Sequence, residues 1–306
     1  MRLGSGEVFA QLLKEAGISK AQAGEILGYE YGDIHRMVSG KKSLDVWELV
    51  GFRQKLKLPT EDLLSLFLDV EESVGYSSYN RIRLFFRMKN HKQAKAEFEQ
   101  LQQTKLGKSR FIKQFMAYAS IKFDEVATPE DTILKIYEAL NITFKDGFKE
   151  AEVAQYHLNY TEVSLVISLA ACYRRLKNYD QAIALHHAML DNQNIFKASE
   201  TDKGYLYPTL YYNLSNLYGL CEQYVNAYDY CQKAQEACQR YQNFQLLPEI
   251  VRNRAISSKN RGDSQRVYRQ IYRDAHTIAC YHGQWDYAKT LKENAERLVC
   301  IKSQEF

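Results

Sequence analysis

The stretch 6–58 constrains this chain most, because its helix breakers fall at intervals that leave room only for short helices packed on one another. Val8, Phe9, Leu12, Leu13 and Ala16 recur at three-and-four spacing, the period of a stripe facing a core, and Gly17 ends that stripe. Ser19 then offers its hydroxyl to the free amides of a second helix. In that helix Ala21, Ala23, Ile26 and Leu27 are expected to face inward, the alanines letting a neighbour approach closely. Gly28 supplies a tight turn, and a third helix over about 31–38 turns Ile34, Met37 and Val38 to the core before Gly40 stops it. A fourth helix from about Leu44 carries Val46, Leu49, Val50 and Phe52, with Trp47 read as a packing residue of the small domain or, alternatively, an interface residue. A fifth is expected after Pro59 and Thr60, burying Leu63, Leu64, Phe67 and Leu68. Five such helices, with a tight turn between the second and third, form a helix-turn-helix domain.

A third helix placed this way can lie in a major groove with its first residues at base edges. Glu30, Tyr31, Asp33, His35 and Arg36 fall on or near its outer face and are the candidate base readers. Lys20 at the start of the second helix, and Ser39, Lys41 and Lys42 after the third, stand where amides and ammonium groups hold phosphates. Residues 1–70 carry nine basic against ten acidic side chains. Duplex binding draws most of its affinity from phosphate neutralisation, so a homodimer reading two half-sites of double-stranded operator DNA is expected.

The opening GEVFAQLL, and the later run from Gly28 through Ile34 to Ser39, Gly40 and Lys41, resemble the XRE-type helix-turn-helix domain of the Rgg regulators. These belong to the RRNPP family of peptide-responsive transcriptional regulators, which join such a domain to tetratricopeptide-like repeats. The chain departs from the family pattern at Leu13, Lys20 and Val38. The resemblance implies a transcription regulator used in quorum sensing, controlled by a short signalling peptide.

The rest of the chain fits that expectation. Four prolines, with 45% hydrophobic and 25% charged residues, describe a helical, folded chain. Residues 71–76 are polar and aromatic without apolar periodicity and read as a linker, which divides the chain into 1–70 and a repeat region over 77–302. Two segments match the tetratricopeptide pattern best. Leu169, Ala170 and Tyr173 are followed by Tyr179 and Ala182, and Leu214, Ser215 and Tyr218 by Tyr224, Ala227, Cys231 and Ala234. The interval from Ala182 to Ala227 exceeds the standard repeat of about 34 residues, so longer helices or a longer loop around 196–208 are required. An earlier copy places Phe85, His91, Ala94 and Phe98 at equivalent positions, and the segment 285–299 reads as a polar capping helix. The expected fold is all-α: a five-helix helix-turn-helix domain, then a right-handed superhelical repeat array whose first helices line a concave face.

Side chains beside the packing positions of those first helices are the candidate peptide contacts: Tyr79, Asn80, Arg83, Arg87, Arg174, Tyr212, Asn213, Asn216 and Asn253. An asparagine amide both donates and accepts, matching a peptide bond of an extended ligand, and arginines suit a terminal carboxylate. No nucleotide-binding loop, nucleophile elbow or H-E-x-x-H pair occurs, and His186 and His187 are adjacent and so point to different helix faces. No enzyme, cofactor or metal site is expected. The six cysteines include no C-x-x-C pair and read as buried free thiols. Without an apolar run of membrane length or a signal segment, the chain is expected in the cytoplasm, away from membranes. Two alternatives stay open: a repeat-based adaptor whose small domain serves assembly, and a DNA-binding regulator that needs no peptide.

Overall fold

The structure is a computed structural model and describes residues 4–58, 70–104, 109–192, 194 and 200–301. The fold is all-α, with fifteen α-helices and no strand among the described residues. The first four are α1 (Ser5–Ala16), α2 (Lys20–Leu27), α3 (Tyr31–Val38) and α4 (Val46–Lys55). The Ser19 hydroxyl accepts from the Gln22 amide while the Gln22 side chain accepts from the Ser19 amide, a reciprocal cap that sets where α2 begins. Gly28 closes it in the left-handed conformation at φ 69°, the geometry that turns the chain into α3. Phe9, Leu12, Leu27, Ile34, Met37 and Phe52 are fully buried between these helices. Ala21, expected inside, is exposed, and Ile26 and Val38 are half-buried. With only eight residues, α2 has a narrow inner face, and Ala23, Gly24 and Leu27 occupy it. The expected fifth helix, after Pro59, lies outside the described residues.

Next comes α5 (Val70–Arg87), which runs through 71–76 as continuous helix where a linker was expected. Its inward positions include Gly75, Ser78 and Tyr79, so no aliphatic stripe betrays it in the sequence. The remaining helices are α6 (His91–Gln103), α7 (Arg110–Phe123), α8 (Pro129–Asn141), α9 (Tyr160–Arg175), α10 (Tyr179–Asp191), α11 (Glu200–Leu220), α12 (Tyr224–Arg240), α13 (Leu247–Asn260), α14 (Gln265–Tyr281) and α15 (Trp285–Val299). The repeat signature falls where it should. Ala94 on α6, Leu169 and Ala170 on α9, Ala182 on α10, Leu214 and Ser215 on α11, and Ala227, Cys231 and Ala234 on α12 are all buried. Small residues at these places let paired helices cross closely.

Two compact units arise, one of Met1–Leu176 with Asp191–Ser199, the other of Lys177–Leu190 with Glu200–Phe306. The first therefore joins the helix-turn-helix to the early repeat helices, and the side chains explain why. Lys55, the last residue of α4, forms an ion pair with Glu162 of α9 at 3.0 Å, with side chains 5% and 0% exposed. Neighbouring polar groups complete the site. Thr143 donates to Glu162 Oε1 at 2.6 Å, the Asn159 amide donates to Oε2 at 2.7 Å, and Gln114 donates to Thr143 at 2.7 Å. A buried charge pair is tolerated only when its remaining lone pairs and protons are satisfied in this way. Nearby, Arg110 of α7 donates to the carbonyls of Leu27 and Gly28 and lies over the Tyr29 ring at 4.1 Å. Trp47, 3% exposed, sets its edge against Tyr79 of α5. Gly51 lets the Phe111 ring of α7 lie directly on the α4 backbone.

In the second unit, the extra repeat length is helical. At 21 residues, α11 contains Pro208, which has no amide proton to give the Gly204 carbonyl one turn earlier. Asn243, in the turn after α12, supplies it instead, donating from Nδ2 to Gly204 O at 2.9 Å. Phe196, the other end of the loop expected around this point, lies outside the described residues.

Candidate nucleic-acid interface and ligand face

The outer face of α3 carries Tyr31, His35 and Arg36, all exposed, with Ser39 and Lys41 exposed just beyond it. Lys20 is half-buried at the first position of α2. Asp33 does not stand alone: Arg36 pairs with it at 2.6 Å and Lys42 at 3.4 Å. The Arg36 hydrogen bond, followed by that of Lys42, holds the Asp33 carboxyl below the usual carboxylate range. Its charge is thus spent on orienting an arginine and a lysine beside the helix. Glu30 caps the entry to α3 without a side-chain cap bond; its carboxylate accepts from Lys145 in the loop after α8. Lys145 and Arg110 were not visible as neighbours of this turn, because nothing in a sequence marks pairings 115 and 82 positions apart.

Among the candidate peptide contacts of the first unit, Arg83 and Arg87 come together. Their guanidinium groups lie over the Tyr160 ring at 4.0 and 5.0 Å from its centroid. Tyr160 went unrecognised; its one signal is an aromatic directly after the helix-capping Asn159. Asn80 is half-buried on α5, the helix of the two arginines. Tyr79 is 4% exposed, accepts from Gln54 at 2.9 Å and packs on Trp47 and Phe115, so its ring belongs to the seam with α4 and offers no face to a ligand here. Arg174 is exposed near the far end of α9. At a rise of about 1.5 Å per residue, fourteen residues separate it from Tyr160 by about 21 Å, so it does not join the arginine pair.

In the second unit α11, α13 and α15 touch in succession. Asn253 of α13 donates to Asn216 of α11 at 2.6 Å, and Asn216 donates to the Tyr212 carbonyl at 3.1 Å. These three predicted residues form one polar platform across two helices, with Asn213 half-buried beside it. The pairing gives the inter-helix role to Asn253, which is 8% exposed. Tyr287 of α15 extends the row toward Arg252, and burial pushes its hydroxyl well above the ordinary phenol range. That tyrosine sat in a segment read only as a cap.

All six cysteines are free thiols; Cys172, Cys231 and Cys238 are buried, Cys221 and Cys280 intermediate, and Cys300 exposed. Burial pushes Cys231 up to about 11 and Cys238 up to about 12. Since the thiolate is the reactive form, an aryl disulfide reagent at neutral pH is expected to modify Cys300 at once and Cys231 and Cys238 only on unfolding. Mass-spectrometric mapping of the labelled sites checks this, and native-state labelling of Cys231 or Cys238 would contradict it. Among the described residues, no group of three His, Cys, Asp or Glu side chains is arranged to hold a metal ion, and no helix is long and apolar enough to cross a membrane.

The architecture has a solved counterpart over almost its entire length. The crystal structure of Bacillus thuringiensis PlcR in complex with the peptide PapR7 and DNA matches at a TM-score of 0.61 and 15% identity, covering 94% of this chain and 98% of that one. The Streptococcus dysgalactiae SHP pheromone receptor Rgg2 gives 0.45 and 16%, covering 95% and 98%. ComR from Streptococcus suis gives 0.44 and 11%, covering 96% of each. No protein-family model and no curated protein matches the sequence. The PlcR likeness establishes the fold: a helix-turn-helix domain followed by tetratricopeptide-like helical repeats.

Proposed function

We propose that this chain is a transcription regulator of the RRNPP family, switched by a short signalling peptide. Residues 1–70 read operator DNA as one half of a homodimer in the cytoplasm, and residues 77–302 take the peptide and join the two copies. The observation that carries this reading is the match, end to end and at similar length, to a protein crystallised with both a peptide and DNA. The exposed polar face of α3 supports the first role. The Asn216–Asn253 platform, able to pair with the amides of an extended chain, supports the second.

The mechanism is thermodynamic linkage. Peptide shifts DNA affinity only by as much as it prefers one arrangement of the chain over another, so a tenfold effect needs a differential of about 1.4 kcal/mol. The test is fluorescence anisotropy with duplex DNA from upstream of the chain's own gene, at stated salt, with and without short hydrophobic peptides encoded beside that gene. Sequence-specific binding that a peptide changes is expected. The double substitution Asn213→Ala with Asn216→Ala is expected to cut the peptide effect at least tenfold while basal DNA binding persists. An adaptor would show no sequence-specific binding, and a peptide-independent regulator would bind without any peptide effect.

A further inference from the structure

The helix-turn-helix carries one more acidic than basic side chain, which is a poor endowment for a surface that must meet phosphates. Cations gather around its α2–α3 turn. Arg110 sits on the Leu27 and Gly28 carbonyls and over Tyr29, Lys42 approaches the same ring at 5.2 Å, and Lys145 pairs with Glu30. Arg110 and Lys145 both come from the repeat region. Counting them with the domain converts its excess of one acid into an excess of one base.

Lys145 is the more telling of the two, because its loop is tied down at several points while its ammonium stands at the surface beside Glu30. Thr143 is tied to Glu162, Phe144 lies under the Lys55 ammonium at 5.1 Å, and the Phe148 amide donates to the Asn141 side chain at 2.8 Å. Phe144 and Phe148 pack edge to face. The loop also abuts the turn itself: the Thr143 carbonyl stands 3.7 Å from where a side chain on Gly28 would begin. From this anchored base Lys145 projects to Glu30 with 58% of its side chain exposed, and Glu30 is 72% exposed. Asp146 is exposed beside Lys145, and Asp33 is already paired with Arg36 and Lys42.

We propose that Lys145 is part of the DNA-binding surface: it neutralises Glu30 at the entry to α3 and contributes a phosphate contact from the repeat region. A carboxylate at the leading end of a recognition helix repels the duplex backbone, and an ammonium beside it turns that edge favourable. The inference rests on the DNA-binding role proposed above. Lys145 acts partly through Glu30 and is to that extent a positioning residue.

The test needs no knowledge of the operator. Full-length chain is titrated against a labelled mixed-sequence duplex across a salt series. Lys145→Ala is expected to bind several-fold more weakly at low salt and to flatten the log–log salt dependence by about one ion. Lys145→Arg should retain wild-type behaviour, and Glu30→Gln should restore part of the affinity in the Lys145→Ala background. A purely structural role would not move the salt slope or give that rescue. Unchanged binding by Lys145→Ala overturns the inference, and so does tighter binding, which would mean the ion pair holds the domain away from DNA. If the wild-type chain binds neither this duplex nor its own upstream DNA, the DNA-binding reading itself falls and the inference with it.

Discussion

Truncating Glu162 to alanine is expected to destabilise the chain by about 3–5 kcal/mol, because it strands the Lys55 ammonium in a site 5% exposed to solvent. The Thr143 hydroxyl and the Asn159 amide lose their acceptor in the same stroke. Lys55→Met, which removes the charge on the other side, should also destabilise by leaving the carboxylate uncompensated. Combining Lys55→Met with Glu162→Ala should cost less than the sum of the two single losses, since no buried charge is then left uncompensated, although Thr143 and Asn159 still lack their acceptor. Urea denaturation of the four proteins measures this. The pair would lose its assigned importance if Glu162→Ala cost under about 1 kcal/mol, the range of an exposed pair. Hydrogen exchange adds location: protection in α4 should fall in the single variants, since Lys55 is its last residue and Glu162 lies in the first turn of α9.

The second large effect runs against a general rule. Replacing a glycine inside a helix with alanine ordinarily stabilises it by about 1 kcal/mol. Gly51→Ala is expected to do the reverse, with a net loss of about 2 kcal/mol, because the new methyl group would overlap the Phe111 ring. The ring has little room to retreat. Phe111 is 7% exposed, and Phe52 meets it edge to face at 5.7 Å between centroids. Shrinking the obstacle with Phe111→Leu should restore part of the stability in the Gly51→Ala background. A rise in the thermal midpoint for Gly51→Ala alone would show that the contact is not as tight as described.

Both effects sit on the seam between the helix-turn-helix and the early repeat helices, and that seam is what the sequence hides. Local rules recovered the small helices well. The stripe Val8, Phe9, Leu12 and Leu13, the Ser19 cap and the Gly28 turn depend only on neighbours within a few residues. The repeats were legible for a similar reason, since Ala182, Ala227 and Ala234 mark crossings by being small. Polar residues that pack across a distance leave no such trace. Lys55 at the C-terminal end of a helix looks solvated, and only the fold reveals its partner more than a hundred positions on. Gly75, buried on α5, reads as a linker residue when its surroundings are unknown. Among the candidate contacts, Asn216 and Asn253 were placed on one face by repeat geometry alone, whereas Tyr79, chosen by the same logic, is drawn into the seam because Trp47 and Gln54 reach it from α4.

The unbroken course of α5 through 71–76 has a further meaning. A flexible tether would let the domain sample orientations and would tolerate a residue more or less. A helix instead fixes angular phase: one inserted residue rotates everything beyond it by about 100° and advances it by about 1.5 Å. Tyr79 meets Trp47, and Arg83 and Arg87 meet Tyr160, at a setting that such a rotation would destroy. Inside α5 the spacing from Gly75 to Tyr79, Arg83 and Arg87 therefore acts like the key of a gear on its shaft, and a residue inserted between them would turn the later side chains off their partners.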